Sequence, residues 1–276
     1  MNLLLVWPHL DPILVKFGPF AIHYYALAYI SALLIGWRML RWLVGLDPVV
    51  ANQQQVDDFL SWATLGIVFG GRIGYILFYQ PVYFLNHLNR TYAVWDGGMS
   101  FHGGFIGVAV AILIYCHKHK MDPWFFADRI AVVVPIGLFL GRIANFINGE
   151  LWGRPAPAWF PIRMIYPQST PPNVPRYPSE LIEALLEGIV LFIVMITASR
   201  SYKLRSQPGY LAGILVMGYG IARTTAEFFR QPDWFLGYLM FGLTMGQILS
   251  LPMIVIGGAM IYRARRVSGK AAVLPP

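Results

Sequence analysis

Seven long apolar runs, separated by short polar segments, dominate the hydropathy pattern of the chain. A helix needs about 20 apolar residues to cross the hydrocarbon core of a bilayer. The runs do not alternate between apolar and polar residues, as the strands of a membrane β-barrel would. The pattern therefore predicts an all-α integral membrane protein, a single polytopic domain over residues 1–276, with about seven transmembrane helices at roughly 18–37, 57–79, 101–116, 124–146, 179–199, 208–229 and 245–262.

Composition narrows the class of protein further. The chain is 57% hydrophobic and only 12% charged, which leaves too little polar surface for a soluble globule and too few charges for a coiled coil or a disordered chain. Its single cysteine, Cys116, excludes a disulfide scaffold. The net charge of +8 could suggest nucleic acid, but the basic residues lie in small clusters between apolar runs. No nucleic-acid partner is therefore expected.

The distribution of lysine and arginine predicts the orientation, because cytoplasmic loops are enriched in both residues. One set of alternate loops carries eleven of the 21 basic residues and the other set carries six. The richer set contains Arg38, Arg41, Lys118, Lys120, Arg200, Lys203, Arg205, Arg263, Arg265, Arg266 and Lys270. With seven spans, the N-terminus then lies outside and the C-terminus lies in the cytoplasm. Segment 147–178 becomes a structured external loop, since it is too long for a simple turn.

Four arginines lie within or at the edge of the apolar runs, and three of them qualify as candidate functional residues, because a charge inside the bilayer costs about 2.5 kcal/mol or more. Arg72, Arg142 and Arg223 all fall in the outer halves of their predicted spans. Tyr25 in the first span and His102 at the outer start of the third fall at the same depth. The orientation rule did not require this agreement. These five residues therefore define a candidate site near the outer surface.

Two polar stripes at helical spacing extend this layer, since residues three or four apart share a helix face. In the first stripe Arg142 and Asn145 are three residues apart, and Asn148-Gly149 is a helix-stop signal that places Glu150 at the outer interface. The second stripe contains Arg223, Glu227 and Arg230, with Tyr219 one turn before them. Each stripe would be costly if it faced lipid, so together they predict a polar cavity that opens at the outer leaflet. Guanidinium groups bind phosphodiesters in a bidentate manner and keep their charge. The natural ligand is therefore a phospholipid headgroup.

Structural roles stay open for several of these residues. Arg72 could form an ion pair with an acid such as Glu227, and Arg223 with Glu227 could be a mutually neutralised pair. Arg129, at the cytoplasmic end of its span, is expected to extend its charge to the membrane interface. His102 lies between two glycine pairs. Close helix packing would explain the glycines but not the imidazole, which favours a functional role for His102.

Two other function classes fit an arginine-lined cavity. A lipid transporter would need polar residues on both sides of the membrane midplane, whereas the cytoplasmic halves of these spans hold little beyond their terminal charges, and no inverted repeat is visible. A CDP-alcohol phosphatidyltransferase would need a carboxylate cluster for divalent ions, which the sequence does not offer. No metal and no cofactor are therefore expected.

Several segments resemble the bacterial prolipoprotein diacylglyceryl transferases, and the resemblance covers nearly the whole chain. Segment 141–154 (GRIANFINGELWGR) is similar to the family signature. Further matches are 94–104 (VWDGGMSFHGG), 70–75 (GGRIGY), 23–25 (HYY) and 227–233 (EFFRQPD). Taken together, these segments are too specific to have arisen by chance.

The resemblance implies an enzyme that transfers the diacylglyceryl group of phosphatidylglycerol to the thiol of the lipobox cysteine in the signal peptide of a preprolipoprotein. This reaction forms a thioether, releases glycerol phosphate and begins lipoprotein maturation. The family has seven spans in the bacterial inner (cytoplasmic) membrane, with the active site facing the periplasm. The implied partners are phosphatidylglycerol, the preprolipoprotein and the surrounding membrane lipids. Loop 147–178 is expected to hold the signal peptide.

The resemblance also implies roles for individual residues. Arg142 and Arg223 match two essential arginines, which we expect to bind the lipid phosphate, and Tyr25 matches a first-span tyrosine. His102 matches the histidine of a His-Gly-Gly motif and is the expected general base. The remaining lipid-binding and supporting residues of the candidate site are Asn145, Arg230, Arg72, Glu150, Asn148, Gly153, Glu227 and Tyr219. Tyr177 stands where many relatives have a histidine, so no catalytic role is carried over to it.

Overall fold

The computed structural model describes residues 2–18, 20–93, 98–232 and 237–271. Its elements in chain order are β1 (Leu3–Val6), β2 (Ile13–Phe17), β3 (Phe20–His23), α1 (Tyr24–Leu43), α2 (Gln53–Phe78), α3 (Pro81–Asn86), α4 (Phe101–His119), α5 (Pro123–Asn148), β4 (Ile162–Ile165), β5 (Pro175–Arg176), α6 (Ser179–Glu183), a π-helical segment (Ala184–Val190), α7 (Leu191–Arg200), α8 (Tyr202–Arg205), α9 (Tyr210–Ala226) and α10 (Met245–Ala271). Motif residues 94–97 and Asp233 lie outside the described residues.

Five helices within the described residues are long and apolar enough to cross a membrane. They are Tyr24–Leu43, Gln53–Phe78, Pro123–Asn148, Ser179–Arg200 and Met245–Ser268. The chain is therefore a mostly helical integral membrane protein, as the hydropathy pattern predicts. The two remaining apolar runs also form helices, α4 with 19 residues and α9 with 17. Their role as spans, and the orientation, stay predictions.

Helix α1 begins later, and helix α2 earlier, than the apolar run that predicted it. The first run was predicted to begin at residue 18, but α1 begins at Tyr24, because Phe20–His23 forms strand β3, which pairs antiparallel with β2. Helix α2 begins four residues before its apolar run. There Asn52 and Gln55 form a capping box, in which each side chain accepts a hydrogen bond of 2.8 Å from the other's backbone N–H.

Short strands add to the predicted all-α architecture. Strand β1 pairs in parallel with β4, and β4 pairs antiparallel with β5. Strands β4 and β5 lie in segment 147–178, so backbone pairing orders the segment predicted as a structured external loop. Trp7, Met164 and Tyr166 form a small buried core where β1 and β4 end.

The chain forms two compact units, one of residues 1–38 and 130–276 and the other of residues 39–129. In the first unit α9 packs closely against α10, since a Cβ atom added at Gly257 would lie 2.7 Å from the carbonyl oxygen of Gly213. The prediction of a single membrane domain stays a prediction.

Close contact between α2 and α4 organises the second unit. Gly66, Gly70 and Gly74 recur every four residues along α2 and face Gly103 and Gly107 of α4. A Cβ atom added at Gly74 would lie 2.7 Å from the Cα atom of Gly103, and one added at Gly66 would lie 2.8 Å from the carbonyl oxygen of Gly107. The two helix backbones therefore touch, in the manner of small-residue packing in membranes.

We expect Gly103→Ala to destabilise the protein and its neighbour Gly104→Ala to leave it stable. A methyl group at position 103 would overlap the carbonyl oxygen of Gly70 and lie 2.9 Å from the Cα atom of Gly74, a cost of about 1–3 kcal/mol. At position 104 the methyl group would lie 3.6 Å from the carbonyl oxygen of Ile67, an ordinary contact. Thermal unfolding of the detergent-purified variants should show a lower midpoint for Gly103→Ala alone. Equal midpoints would contradict this account of the α2–α4 contact.

Arg129 stabilises the end of α1 within the second unit. Its side chain is fully buried, and it donates hydrogen bonds to the carbonyl oxygens of Leu43 at 3.1 Å and Pro48 at 3.0 Å. The expectation that Arg129 extends its charge to the membrane interface is therefore wrong. The guanidinium group instead binds carbonyl oxygens at the C-terminus of α1 and in the segment that follows it.

Candidate active site

A cluster of buried charges brings together two of the three arginines that the apolar runs singled out. Arg142 lies on α5 and Arg223 on α9. Between them, Glu183 at the end of α6 and Glu187 in the following π-helical segment bind both guanidinium groups. All four residues belong to the first compact unit.

Glu183 is the centre of this cluster. Its Oε2 lies 2.8 Å from Nη1 of Arg142, and its Oε1 lies 2.7 Å from Nη1 of Arg223. The same Oε1 lies 3.4 Å from Nη1 of Arg230. The side chain of Glu183 is fully buried, so one carboxylate out of contact with water serves three guanidinium groups. The three guanidinium groups offset the cost of burying the charge of this carboxylate.

Glu187 holds the other edge of Arg142. Its Oε2 accepts hydrogen bonds from Nε of Arg142 at 3.1 Å and from Nη2 at 2.9 Å. Its Oε1 is 3.6 Å from Nη1 of Arg223 and accepts no hydrogen bond within the described part of the chain. Glu187 is also fully buried. Its two oxygens are therefore unequally satisfied.

Glu227 completes the cluster at the end of α9. It is hydrogen-bonded to Nη2 of Arg223 and lies 3.9 Å from Nε of Arg230. The hydroxyl group of Thr244 donates a hydrogen bond of 2.8 Å to its Oε2. The interpretation of Arg223 with Glu227 as an ion pair, left open by the sequence, therefore describes a real contact. That pair is one part of a larger network.

The network contains three guanidinium groups and three carboxylates, so its formal charges cancel. The side chains of Arg142 and Arg223 are 17% and 13% exposed, whereas those of Glu183 and Glu187 are not exposed. The accessible side of the cluster is thus formed by the arginines. The sequence predicted a cavity lined by guanidinium groups but did not anticipate that buried carboxylates would neutralise them.

Sequence reasoning missed Glu183 and Glu187, although a signal was present. The two acids are four residues apart within the apolar run 179–199, and the rule that singled out the intramembrane arginines applies to acids as well. They lie where the helix Ser179–Arg200 widens into the π-helical segment Ala184–Val190. Such segments are frequent at functional sites.

A second polar cluster in the same unit joins Tyr25, Asn145 and Glu150. The hydroxyl group of Tyr25 donates a hydrogen bond to Oε1 of Glu150. The amide of Asn145 donates to the Tyr25 oxygen and, at 2.8 Å, to the same Glu150 oxygen. The structure therefore brings Tyr25 of α1 together with Asn145 near the end of α5 and Glu150 just beyond it.

The end of α5 positions Glu150 for this contact. Asn148 is the last residue of the helix, and Gly149 follows with a positive φ of 62°. The backbone N–H of Gly149 donates to the carbonyl oxygen of Phe146 at 3.0 Å, and that of Glu150 donates to Asn145 at 3.2 Å. This is the Schellman arrangement that ends many helices. It turns Glu150 back beside Asn145.

Loop 147–178 is attached directly to the end of α9. Arg154 donates hydrogen bonds from Nε to the carbonyl oxygen of Arg230 at 2.8 Å and from Nη2 to that of Glu227 at 3.0 Å. Gly153 forms an isolated β-bridge with Arg230 and donates its N–H to the carbonyl oxygen of Tyr177 at 3.0 Å. A Cβ atom at Gly153 would collide with the carbonyl groups of Tyr177 and Phe229. Glycine is therefore required at this contact.

Buried polar side chains order the rest of the loop. Arg176 is almost fully buried and donates to the carbonyl oxygens of Gly153 at 3.1 Å and Thr170 at 2.8 Å. Burial lowers the pKa of Arg176 from its ordinary value. The hydroxyl group of Tyr166 donates to Glu180 at 3.1 Å. Burial, and next the negative charge of Glu180, raise the pKa of Tyr166.

Tyr177 occupies an aromatic cluster at the base of this loop. Its ring packs edge-on against Phe160, with 4.6 Å between ring centres, and against Phe229, with 5.2 Å. The ring of Tyr177 thus contributes apolar packing to this cluster.

His102 and Arg72 belong to the second compact unit. His102 lies exposed in the first turn of α4, after Ser100, whose side chain accepts a hydrogen bond from the N–H of Gly103. Arg72 is buried and donates to the carbonyl oxygens of Thr91 at 2.9 Å and Arg90 at 2.6 Å. These contacts attach α2 to the segment that precedes α4.

Tyr219 and Asn148 complete the set of candidate residues. Tyr219, one turn before Arg223 on α9, interacts electrostatically with Glu187 and with both arginines. Asn148 has a buried Oδ1 without a hydrogen-bond partner in the described part of the chain.

Comparison with known proteins gives a consistent result. Residues 12–263 match the family described as prolipoprotein diacylglyceryl transferase. A protein of Acidiphilium cryptum is 77% identical over 269 residues, which cover 98% of this chain and 97% of that protein. A protein of Gluconacetobacter diazotrophicus is 54% identical over 271 residues, covering 98% and 96% of the two chains. Both are named phosphatidylglycerol–prolipoprotein diacylglyceryl transferase.

The matched residues 12–263 include the whole charged cluster, the Tyr25 cluster and loop 147–178. Relatives of 77% and 54% identity cover 98% of the chain. The chain therefore belongs to the prolipoprotein diacylglyceryl transferase family.

Proposed function

We propose that this protein transfers the diacylglyceryl group from phosphatidylglycerol to the thiol of the lipobox cysteine of preprolipoproteins. The reaction forms a thioether, releases glycerol phosphate and is the first step of lipoprotein lipidation. The observation that carries the proposal is the pair of partly exposed arginines, Arg142 and Arg223, held by buried carboxylates in a chain of this family.

The charge that develops on the leaving phosphate explains why such a site needs arginines. The sulfur of a thiolate attacks the glyceryl carbon of the lipid, the bond between that carbon and the phosphate oxygen breaks, and the electron pair stays on the oxygen. The leaving phosphate thereby gains a second negative charge. Positioned cations in a site with little water stabilise a charge that develops in the transition state. Arg142 and Arg223 are the proposed phosphate ligands, with Asn145 and Arg230 beside them.

A base must also remove the thiol proton. His102 is the proposed general base, because an imidazole titrates near neutral pH and a guanidinium group does not. Tyr25, held by Asn145 and Glu150, is proposed to position the substrate beside Arg142. For Arg72 the carbonyl contacts support a positioning role, in which it orders the chain before α4, rather than direct contact with lipid.

We expect His102→Gln to lower turnover by about a hundredfold or more, the usual contribution of general base catalysis. Lipid binding should remain within about twofold, since the phosphate ligands are unchanged. His117→Gln, at the other end of α4, is the matched control and should keep full activity. Unchanged turnover in His102→Gln would reject the base role.

The membrane arrangement is part of the proposal. We infer seven spans in the bacterial inner membrane, with the N-terminus and loop 147–178 in the periplasm and the C-terminus in the cytoplasm. Five helices of sufficient length and the excess of basic residues in one set of loops support it. The active site then faces the periplasm, where a translocated signal peptide presents its cysteine. Loop 147–178 is proposed to hold this peptide.

The function is tested with detergent-purified protein, phosphatidylglycerol and a synthetic lipobox peptide. Glycerol phosphate release and peptide mass are followed together. We expect release to accompany a gain of one diacylglyceryl mass, and neither signal with a peptide in which serine replaces the cysteine. Release without a mass gain would indicate hydrolysis, and the absence of both signals would reject the transferase.

A further inference from the structure

The arginines proposed to bind phosphate are already occupied by carboxylates. All three nitrogens of the Arg142 guanidinium contact carboxylate oxygens, since Nη1 lies 2.8 Å from Glu183 while Nε and Nη2 both donate to Glu187. Arg223 contacts Glu183 and Glu227 through its two terminal nitrogens. A phosphate group could not take a bidentate hold on Arg142 without displacing one carboxylate from it.

The charge balance of the cluster raises the same difficulty. Arg142, Arg223 and Arg230 carry three positive charges, and Glu183, Glu187 and Glu227 carry three negative ones. A phosphodiester would add one negative charge to a network that is neutral and largely buried. Uncompensated charge in such surroundings is costly, and a carboxyl group relieves the cost by taking up a proton.

Glu187 is the carboxylate that can be released at the lowest cost. Glu183 has contacts to three guanidinium groups, and Glu227 is held by Arg223 and by the hydroxyl group of Thr244. Among the described residues, Glu187 forms hydrogen bonds with Arg142, and its contact with Arg223 is longer, at 3.6 Å.

The surroundings of Glu187 also determine what protonation would change. The titratable and charged groups that act on it are Arg142 on α5, Glu183 on its own helix, and Arg223 and Tyr219 on α9. Protonation removes the negative charge of Glu187 and with it the ion-pair attraction to the Arg142 guanidinium group. Protonation of Glu187 would therefore free the Nε and Nη2 edge of Arg142 for a phosphate.

We propose that Glu187 occupies the place of the lipid phosphate on Arg142 in the empty enzyme and takes up one proton when the phosphate binds. This inference rests on the proposed function, because it assumes that Arg142 binds the phosphate of phosphatidylglycerol. It makes binding of the anionic headgroup dependent on pH, with tighter binding at lower pH, through a residue that does not itself contact the reacting carbon.

The test is the number of protons bound with the lipid. Titration calorimetry of the full-length protein with dihexanoyl-phosphatidylglycerol, in buffers of different ionisation enthalpy, should give an uptake of one proton. The dissociation constant should rise about tenfold per pH unit at pH values where Glu187 is ionised in the empty enzyme. Dihexanoylglycerol, which lacks the phosphate group, is the control lipid and should show no such uptake.

The variant Glu187→Gln assigns the proton. It should bind the same lipid without proton uptake, with an affinity that does not depend on pH, and about tenfold or more tightly than the wild type at the highest pH tested. Asp57→Asn, which neutralises an exposed carboxylate paired with Arg41 at 2.9 Å, is the matched control and should retain the uptake of the wild type. Uptake that persists in Glu187→Gln would overturn the assignment.

The outcomes separate this inference from the function on which it rests. If the wild type binds phosphatidylglycerol with no proton uptake and no pH dependence, the role of Glu187 is wrong although the phosphate site stands. If Arg142→Gln binds the lipid as well as the wild type does, the phosphate site itself is wrong. The wild-type measurement needs no variant, so it is decisive even if Glu187→Gln fails to fold.

Discussion

Lysine in place of Arg142 is expected to lower the rate of diacylglyceryl transfer by about a hundredfold or more. Arg142 uses Nη1 for Glu183 and its Nε and Nη2 edge for Glu187, an arrangement that a single ammonium group cannot reproduce. The positive charge survives in the variant, but the planar, two-sided geometry is lost. The proposed phosphate site needs that geometry both to hold the lipid and to stabilise the leaving group.

The measurement is kcat/KM for the lipobox peptide at saturating phosphatidylglycerol, together with the dissociation constant of the lipid. Arg41→Lys is the matched control. Arg41 also forms an ion pair, with Asp57, but the two side chains are 27% and 40% exposed, so the pair lies outside the buried cluster. That substitution should change the rate by less than about twofold. Wild-type turnover in Arg142→Lys would show that charge alone suffices and would remove the argument for a bidentate phosphate contact.

Glutamine in place of Glu183 is expected to destabilise the protein more than any other neutralisation of a carboxylate discussed above. The change leaves Arg142, Arg223 and Arg230 around a neutral amide, with one positive charge in excess. Breaking a buried ion pair from one side costs about 3–5 kcal/mol, which corresponds to a fall in the unfolding midpoint of about ten degrees or more. Activity should fall as well, because both proposed phosphate ligands would lose their common anchor.

Thermal unfolding of the purified variant in detergent measures this effect. Asp57→Asn breaks the exposed pair with Arg41 and should change stability by less than about 1 kcal/mol. A midpoint for Glu183→Gln equal to that of Asp57→Asn would contradict the central place given to Glu183. Loss of activity with an unchanged midpoint would instead indicate that Glu183 acts in catalysis and contributes little to folding.

The arginines of the charged cluster could be recognised from the sequence, but their partners could not. A charge in an apolar run is costly wherever the chain folds, so Arg142 and Arg223 could be recognised from their neighbours in sequence alone. Their partners could not be assigned in the same way. The interpretations left open for the arginines named only Glu227 as a partner, whereas both guanidinium groups also share Glu183 and Glu187 of a third helix.

The two other intramembrane arginines illustrate the same limit. From the sequence, Arg72 was expected to form an ion pair or to bind lipid. Arg129 was expected to place its charge at the membrane interface. In the structure, Arg72 donates to the carbonyl oxygens of Thr91 and Arg90, and Arg129 donates to those of Leu43 and Pro48. Backbone carbonyl groups carry no sequence signature, so a guanidinium group that binds them cannot be told from one that binds a ligand.

The sequence by itself determined the membrane class, the identity of the family and the turn that ends α5. Apolar run length, signature motifs and the Asn148-Gly149 stop all act through residues close together in the chain. Only the tertiary structure decided which charges meet, how the loop is attached to the end of α9, and that the guanidinium groups are neutralised. These features depend on contacts between distant segments, where burial removes water and the strength of each ion pair follows from geometry.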